Sequence, residues 1–101
     1  MRLSDETIRK RPVIAADGQV IGEVSAVFLE VEGWRIESLR VSLLKEIADQ
    51  LGAHRTIFRA GEVEIPVHMI QSVSTTILLT VPVDGLRAVL PSDPPPAQAN
   101  P

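Results

Sequence analysis

The chain has 101 residues, enough for one domain with a modest core, and its three aromatic residues leave that core to aliphatic side chains. Ten basic and thirteen acidic residues give a net charge of −3, which argues against an obligatory polyphosphate partner. Cysteine is absent, which excludes disulfides, thiolate metal sites and thiol redox chemistry. We expect a cytoplasmic protein, since there is neither a charged-then-apolar leader nor an apolar stretch near the roughly 18 residues that cross a bilayer.

The first predicted elements are a single helical turn and a β-hairpin. Ser4 can cap the turn, and Ile8 is its one apolar anchor. An extended run begins near Val13 and is followed by Asp17-Gly18. Asp-Gly between β-branched runs predicts a tight hairpin, because glycine accepts the positive φ that matches strand twist.

The second strand, from Val20 to about Val31, changes its pattern along its length. Apolar and polar residues alternate early in the strand, which predicts one inward face. The predicted members of that face are Val24, Ala26 and Phe28. From Val27 onward the opposite face becomes apolar too, which is typical of a strand that carries a bulge, rounds a barrel corner or meets another subunit.

A third strand and a short helix follow a turn at Glu32-Gly33. The strand runs from Trp34 to Leu44, and its predicted inward residues are Leu39, Val41 and Leu43. The apolar period then lengthens to about 3.6 residues, which indicates a helix. Its predicted apolar face consists of Leu44, Ile47, Ala48 and Leu51. Gly52 lies where a glycine commonly ends a helix.

The remaining chain alternates extended segments and turns. We expect extended structure at His54–Ala60, a strand at 62–67, tight turns at 68–70 and 72–75, and a final strand at 76–81. Asp84 is expected to cap a short helix that ends near Leu90. Residues 91–101 are rich in proline and too poor in apolar residues to fold. The prediction is therefore one domain over residues 1–90 and a disordered Pro-rich tail over 91–101.

Four segments, in their order and spacing, resemble the PRC-barrel family. They are Asp17-Gly18-x-x-Ile21-Gly22-x-Val24-x-x-Val27, Leu39-x-Val41, Glu64-Ile65-Pro66-Val67-x-x-Ile70-x-x-Val73 and Ile77-Leu78-Leu79. The resemblance covers roughly Leu3 to Leu90 and is closest to the free-standing prokaryotic type. The chain departs from the family at Ser74-Thr75, where Gly-Asp is usual, so we expect that turn to differ in shape.

The resemblance implies a mainly β fold: a small six-stranded PRC-like β-barrel with a short inserted helix and a short C-terminal helix. It also implies no cofactor and a role as a protein–protein interaction or adaptor module. Related barrels are found in the photosynthetic reaction-centre H subunit and in the C-terminal domain of a ribosome-maturation factor. A barrel of this size is usually filled by its own side chains, which disfavours a small-molecule site.

Little in the sequence favours catalysis or metal binding. His54 and His68 are the two histidines and have no zinc-site spacing, so we expect surface or capping roles and no metal. The paired carboxylates Glu62 and Glu64, like Glu30 and Glu32, are expected on solvated strand faces. There is no G-x-S-x-G elbow and no Gly-rich phosphate loop. We expect a protein that is not an enzyme and has no catalytic or cofactor-binding residues.

Two groups of residues are candidates for contact with partners. Arg9, Lys10 and Arg11, joined by Arg2, are either a solvated segment, an anion contact for RNA or acidic lipid, or a contact with an acidic protein. The second group is an expected protein interface formed by Val27, Leu29, Val31, Trp34 and Ile36. Within it, Trp34 is either a plug at the barrel end or an interface anchor.

The leading hypothesis is a non-enzymatic adaptor that binds an unidentified protein and forms a homodimer, which would bury the surplus apolar face. One alternative is an RNA-associated or ribosome-assembly accessory, suggested by the family and by the basic segment. A second alternative, a peripheral membrane or electron-transport accessory, depends only on the reaction-centre relative.

Overall fold

A computed structural model of the protein describes residues 2–52 and 61–90. The predicted extended segment His54–Ala60, with the histidine in it, lies outside the described residues. So does the predicted disordered tail, residues 91–101.

Within the described residues, six strands form one mixed sheet. The strands are β1 (Pro12–Ile14), β2 (Val20–Glu30), β3 (Arg35–Leu43), β4 (Glu62–Pro66), β5 (Ile70–Val73) and β6 (Ile77–Leu79). Their order is β4-β3-β2-β1-β6-β5, and every neighbouring pair is antiparallel except β1 and β6, which are parallel. The helices are α1 (Asp5–Ile8), α2 (Lys45–Leu51) and two 3₁₀ helices, Val67–Met69 and Val83–Val89. The predicted mainly β fold is confirmed.

The predicted hairpin joins β1 to β2. Gly18 takes a φ of 88°, the left-handed conformation that Asp-Gly turns require. The Asp17 carboxylate accepts a hydrogen bond from the Gln19 side chain at 3.0 Å and lies 3.5 Å from the backbone nitrogen of Val83. Partial desolvation raises the pKa of Asp17, but the hydrogen bonds from Gln19 and the backbone lower that pKa by more, so it lies below its ordinary value. The turn is thereby tied to the 3₁₀ helix Val83–Val89.

The core is aliphatic, as the composition predicts. Its fully buried side chains come from five strands and the second 3₁₀ helix: Ile21, Leu39, Ile65, Ile77, Leu79, Leu86, Val13, Val24, Val41 and Val83. One face of the sheet packs against this cluster. The predicted inward residues of β3 (Leu39, Val41 and Leu43) are confirmed.

Both predicted helix boundaries near the core are confirmed. The Ser4 hydroxyl accepts the Thr7 backbone N–H at 3.1 Å and caps α1, which buries Ile8. Gly52 ends α2 with a φ of 74°. Helix α2 buries three of its four predicted apolar residues, whereas Leu44 is the N-cap residue and is 41% exposed.

A bulge in β2 corrects the predicted inward face of that strand. Val24 pairs with Val41 in β3, but the next pair begins at Ala26, which leaves Ser25 as the extra residue. The extra residue shifts the alternation by one position. Val24 is therefore buried, and after the bulge Val27, rather than Ala26 or Phe28, packs against the core.

Two further predictions were wrong. The segment with predicted turns at 68–70 and 72–75 contains strand β5. In this strand Ile70 pairs with Leu79 of β6, and Val73 pairs with Ile77. Asp84 does not cap the 3₁₀ helix, whose N-cap is Pro82 without a side-chain hydrogen bond. The Asp84 carboxylate instead accepts a hydrogen bond from Nε of Arg87 at 2.7 Å.

Candidate interaction surface

The candidate surface lies at the end of the β2–β3 hairpin. The two strands end at a pair formed by Glu30 and Arg35, and the residues between them form a turn. We call residues Leu29–Ile36 the hairpin tip. Four of the five residues predicted as an interface lie in it, with exposed fractions of 53% for Leu29, 68% for Val31, 79% for Trp34 and 40% for Ile36.

A second bulge aligns two of these side chains. Phe28 pairs with Ser38, but the next pair joins Leu29 to Ile36, so Glu37 is the extra residue of β3. Leu29 and Ile36 therefore stand directly opposite each other on neighbouring strands.

The hairpin tip continues the core-facing side of the sheet beyond the core. Leu29 follows Val27 by two residues in β2 and so shares its face. Val27 is partly buried against the core, whereas Leu29 is exposed. Val27 is thus more buried than the other four predicted interface residues, and its membership of an interface stays a prediction.

Trp34 occupies an unusual position in the turn. Its φ is 53°, in the left-handed region. For residues other than glycine and asparagine, this backbone conformation costs on the order of 1–2 kcal/mol of free energy. Of the two alternatives for Trp34, its 79% exposure does not fit a plug at the barrel end, and its role as an interface anchor stays a prediction. The largest apolar side chain of the protein is therefore exposed, and it belongs to a residue whose backbone conformation is itself unfavourable.

The Glu30 side chain organises this turn. Its two carboxylate oxygens accept the backbone N–H of Glu32 at 2.9 Å and that of Gly33 at 2.7 Å. A Cβ added to Gly33 would lie 2.8 Å from Oε1 of Glu30 and 2.7 Å from Nε of Arg35, so glycine leaves the room that the carboxylate occupies. Glu30 is half-buried at the end of β2, and its carboxylate is turned back onto the backbone of an exposed turn.

A cluster of polar side chains lies on the outer face of β3 and β4. Ser38, only 2% exposed, donates a hydrogen bond to Oε2 of Glu64 at 2.5 Å. Nε of Arg40 lies 3.5 Å from Oε1 of Glu62, and the Arg40 guanidinium lies 5.7 Å from the centre of the Phe28 ring. A solvated position was correctly predicted for Glu64 and wrongly for Glu62, whose side chain is 15% exposed. These contacts hold neighbouring strands in register.

The basic segment contacts the protein itself. Nε of Arg9 lies 3.2 Å from the Asp5 carboxylate. Nε of Arg11 donates to the Thr7 carbonyl at 2.8 Å, and its Nη1 donates to the Ser74 carbonyl. Arg11 thus joins α1 to the turn between β5 and β6. An anion contact by Arg9, Lys10 and Arg11 stays a prediction.

The described residues offer no metal site. His68 is exposed in the 3₁₀ helix Val67–Met69. Across residues 2–52 and 61–90, no group of three or more His, Cys, Asp or Glu side chains converges as metal ligands would. None of the helices in those two ranges has the length and apolar character needed to cross a membrane.

The fold, then, is a small β-barrel-like domain with an apolar projection at one hairpin. A family model described as the PRC-barrel domain matches residues 2–86, which is most of the chain. The protein belongs to the PRC-barrel family, as its sequence motifs indicated. No curated protein matches the chain.

Proposed function

We propose that the protein is a non-enzymatic interaction module that forms a symmetric homodimer through its hairpin tip. The observation that carries the proposal is the exposure of four apolar side chains, including a conformationally strained tryptophan, at one end of one hairpin.

The energetics of the hairpin tip favour contact with a protein surface. Full burial of one Leu, Ile or Val side chain is worth on the order of 1.5–3 kcal/mol. Tryptophan is enriched among residues that dominate binding energy, because it buries a large area and keeps one polar group for a hydrogen bond. In the monomer Trp34 provides little of this burial, and its backbone conformation is unfavourable. A partner that covers Trp34 would add the free energy of burying its side chain.

The charges beside the apolar residues favour a second copy of the chain as the partner. Ile36 lies between Arg35 and Glu37, which are exposed and carry opposite charges. In a two-fold contact each residue i of one subunit meets residue j of the other, and j meets i. An axis near Ile36 would place each Arg35 beside the Glu37 of the partner and bring the Leu29–Ile36 pairs together.

The test compares two exposed residues of the same strand. Leu29→Glu places a charge in the proposed interface, whereas Val20→Glu places it at the opposite end of β2, where Val20 is 47% exposed. We expect light scattering to show a dimer for the wild type and for Val20→Glu, and a monomer for Leu29→Glu. A wild type that is monomeric at high micromolar concentration would overturn the proposal, as would an unchanged dimer in Leu29→Glu.

The alternative of an RNA-associated accessory has less support. Two of the three basic side chains that suggested it, Arg9 and Arg11, already contact groups of the protein itself. The mildly acidic net charge also argues against a nucleic-acid-binding protein.

A further inference from the structure

The hairpin tip raises the question of what holds an exposed tryptophan in the left-handed conformation. Trp34 is 79% exposed, so packing of its own side chain contributes little. The turn also lies beyond the core, and its neighbours Val31 and Glu32 are exposed as well. The conformation must therefore be fixed mainly by hydrogen bonds from a side chain to the backbone of the turn and by the closing strand pair, Glu30 with Arg35.

Glu30 provides the side-chain contacts that fix this turn. Each of its carboxylate oxygens accepts one backbone N–H, from Glu32 and from Gly33, the two residues immediately before Trp34. Hydrogen bonds to a carboxylate are roughly twice as strong as those between neutral groups, and here two converge on one carboxylate. They orient the peptide units that lead into Trp34.

We propose that Glu30 is a positioning residue: its carboxylate locks the turn and presents Trp34 in one orientation before a partner arrives. The docking part of this inference rests on the proposed function. Preorganisation favours association, because the loss of backbone and side-chain freedom has already occurred in the free protein. Glu30 acts through Trp34 and need not contact the partner.

The sequence allows a direct measurement of this effect. Trp34 is the only tryptophan and there is no tyrosine, so its fluorescence reports on the hairpin tip alone. Glu30→Ala removes both acceptors, and Glu30→Gln keeps one acceptor oxygen without the charge. Glu32→Ala is the matched control, since it removes the same charge from the same turn but no side-chain hydrogen bond seen among the described residues.

Time-resolved fluorescence anisotropy should be recorded on each monomer at low concentration, and the dissociation constant of the dimer measured separately. We expect faster local motion of Trp34 in Glu30→Ala, an intermediate result in Glu30→Gln, and wild-type motion in Glu32→Ala. The dimer of Glu30→Ala should dissociate about tenfold more readily, which corresponds to about 1.4 kcal/mol. The thermal midpoint of the domain should change little, because the core is untouched.

Two results would overturn the inference: unchanged Trp34 motion in Glu30→Ala, or equal dissociation constants for Glu30→Ala and Glu32→Ala. A wild type that never dimerises would remove the docking role and the proposed function together. The anisotropy data would still decide whether Glu30 locks the turn, so the two failures can be told apart.

Discussion

The two ends of the β2–β3 hairpin differ in the burial of their paired apolar residues. At the base, Val24 and Val41 are paired and buried, and the two backbones approach closely around Gly22. At the tip, Leu29 and Ile36 are paired in the same way but exposed. The comparison shows that an inward position in a strand is buried only as far as the other elements of the domain reach.

Two leucines of this hairpin give the largest expected contrast. Leu39 is 2% exposed and Leu29 is 53% exposed. Leu39→Ala should lower the free energy of unfolding by about 3–4 kcal/mol, because it leaves a cavity, whereas Leu29→Ala should cost less than about 0.5 kcal/mol. Denaturant unfolding at low protein concentration measures both. Equal losses would show that the hairpin tip is part of the core.

Gly22 at the base and Gly33 at the tip differ in the space available for a Cβ atom. A Cβ on Gly22 would lie 2.0 Å from the Ser42 carbonyl oxygen, whereas a Cβ on Gly33 meets only the ends of the Glu30 and Arg35 side chains. Gly22→Ala should cost about 2–3 kcal/mol, since backbone must move, and Gly33→Ala about 1 kcal/mol or less. Thermal unfolding measures both, and a larger loss for Gly33→Ala would contradict the comparison.

The smallest expected effect has the opposite sign. Asparagine tolerates the left-handed conformation of Trp34 better than tryptophan does. Trp34→Asn should therefore raise the free energy of unfolding of the monomer by about 0.5 kcal/mol while weakening the dimer. Denaturant unfolding and light scattering give the two quantities. A substantial loss of monomer stability would mean that Trp34 supports the fold rather than an interaction.

Elements with local signals could be predicted from the sequence. The Asp17-Gly18 hairpin, the Ser4 cap and the Gly52 helix end each depend on a few neighbouring residues. Strand β5, in contrast, has no alternating pattern and forms because β6 offers it a partner. The bulges at Ser25 and Glu37 are likewise decided by pairing with the neighbouring strand, and so the residues that face inward beyond Val24 were assigned incorrectly.

The hairpin tip could be predicted in part. The two-faced apolar pattern of the predicted second strand pointed to Leu29 and Val31. The exposure of Trp34, in contrast, depends on where the core ends, which no local pattern gives. The role of Glu30 was missed because its carboxylate resembles any polar residue in a strand. A signal was present: a carboxylate just before a turn with glycine three residues on can accept the backbone N–H groups of that turn.

The parallel contact of β1 with β6 has a consequence for how the chain folds. Val13 pairs with Ile77 and Ile14 with Leu78, so this ladder closes a loop that contains most of the domain. Strands β2 and β3 are separated by a short turn and can pair early, whereas contacts distant in sequence form slowly. During synthesis β1 must keep an open edge until residues near Leu79 leave the ribosome, and in that interval the nascent domain is most exposed to mispairing.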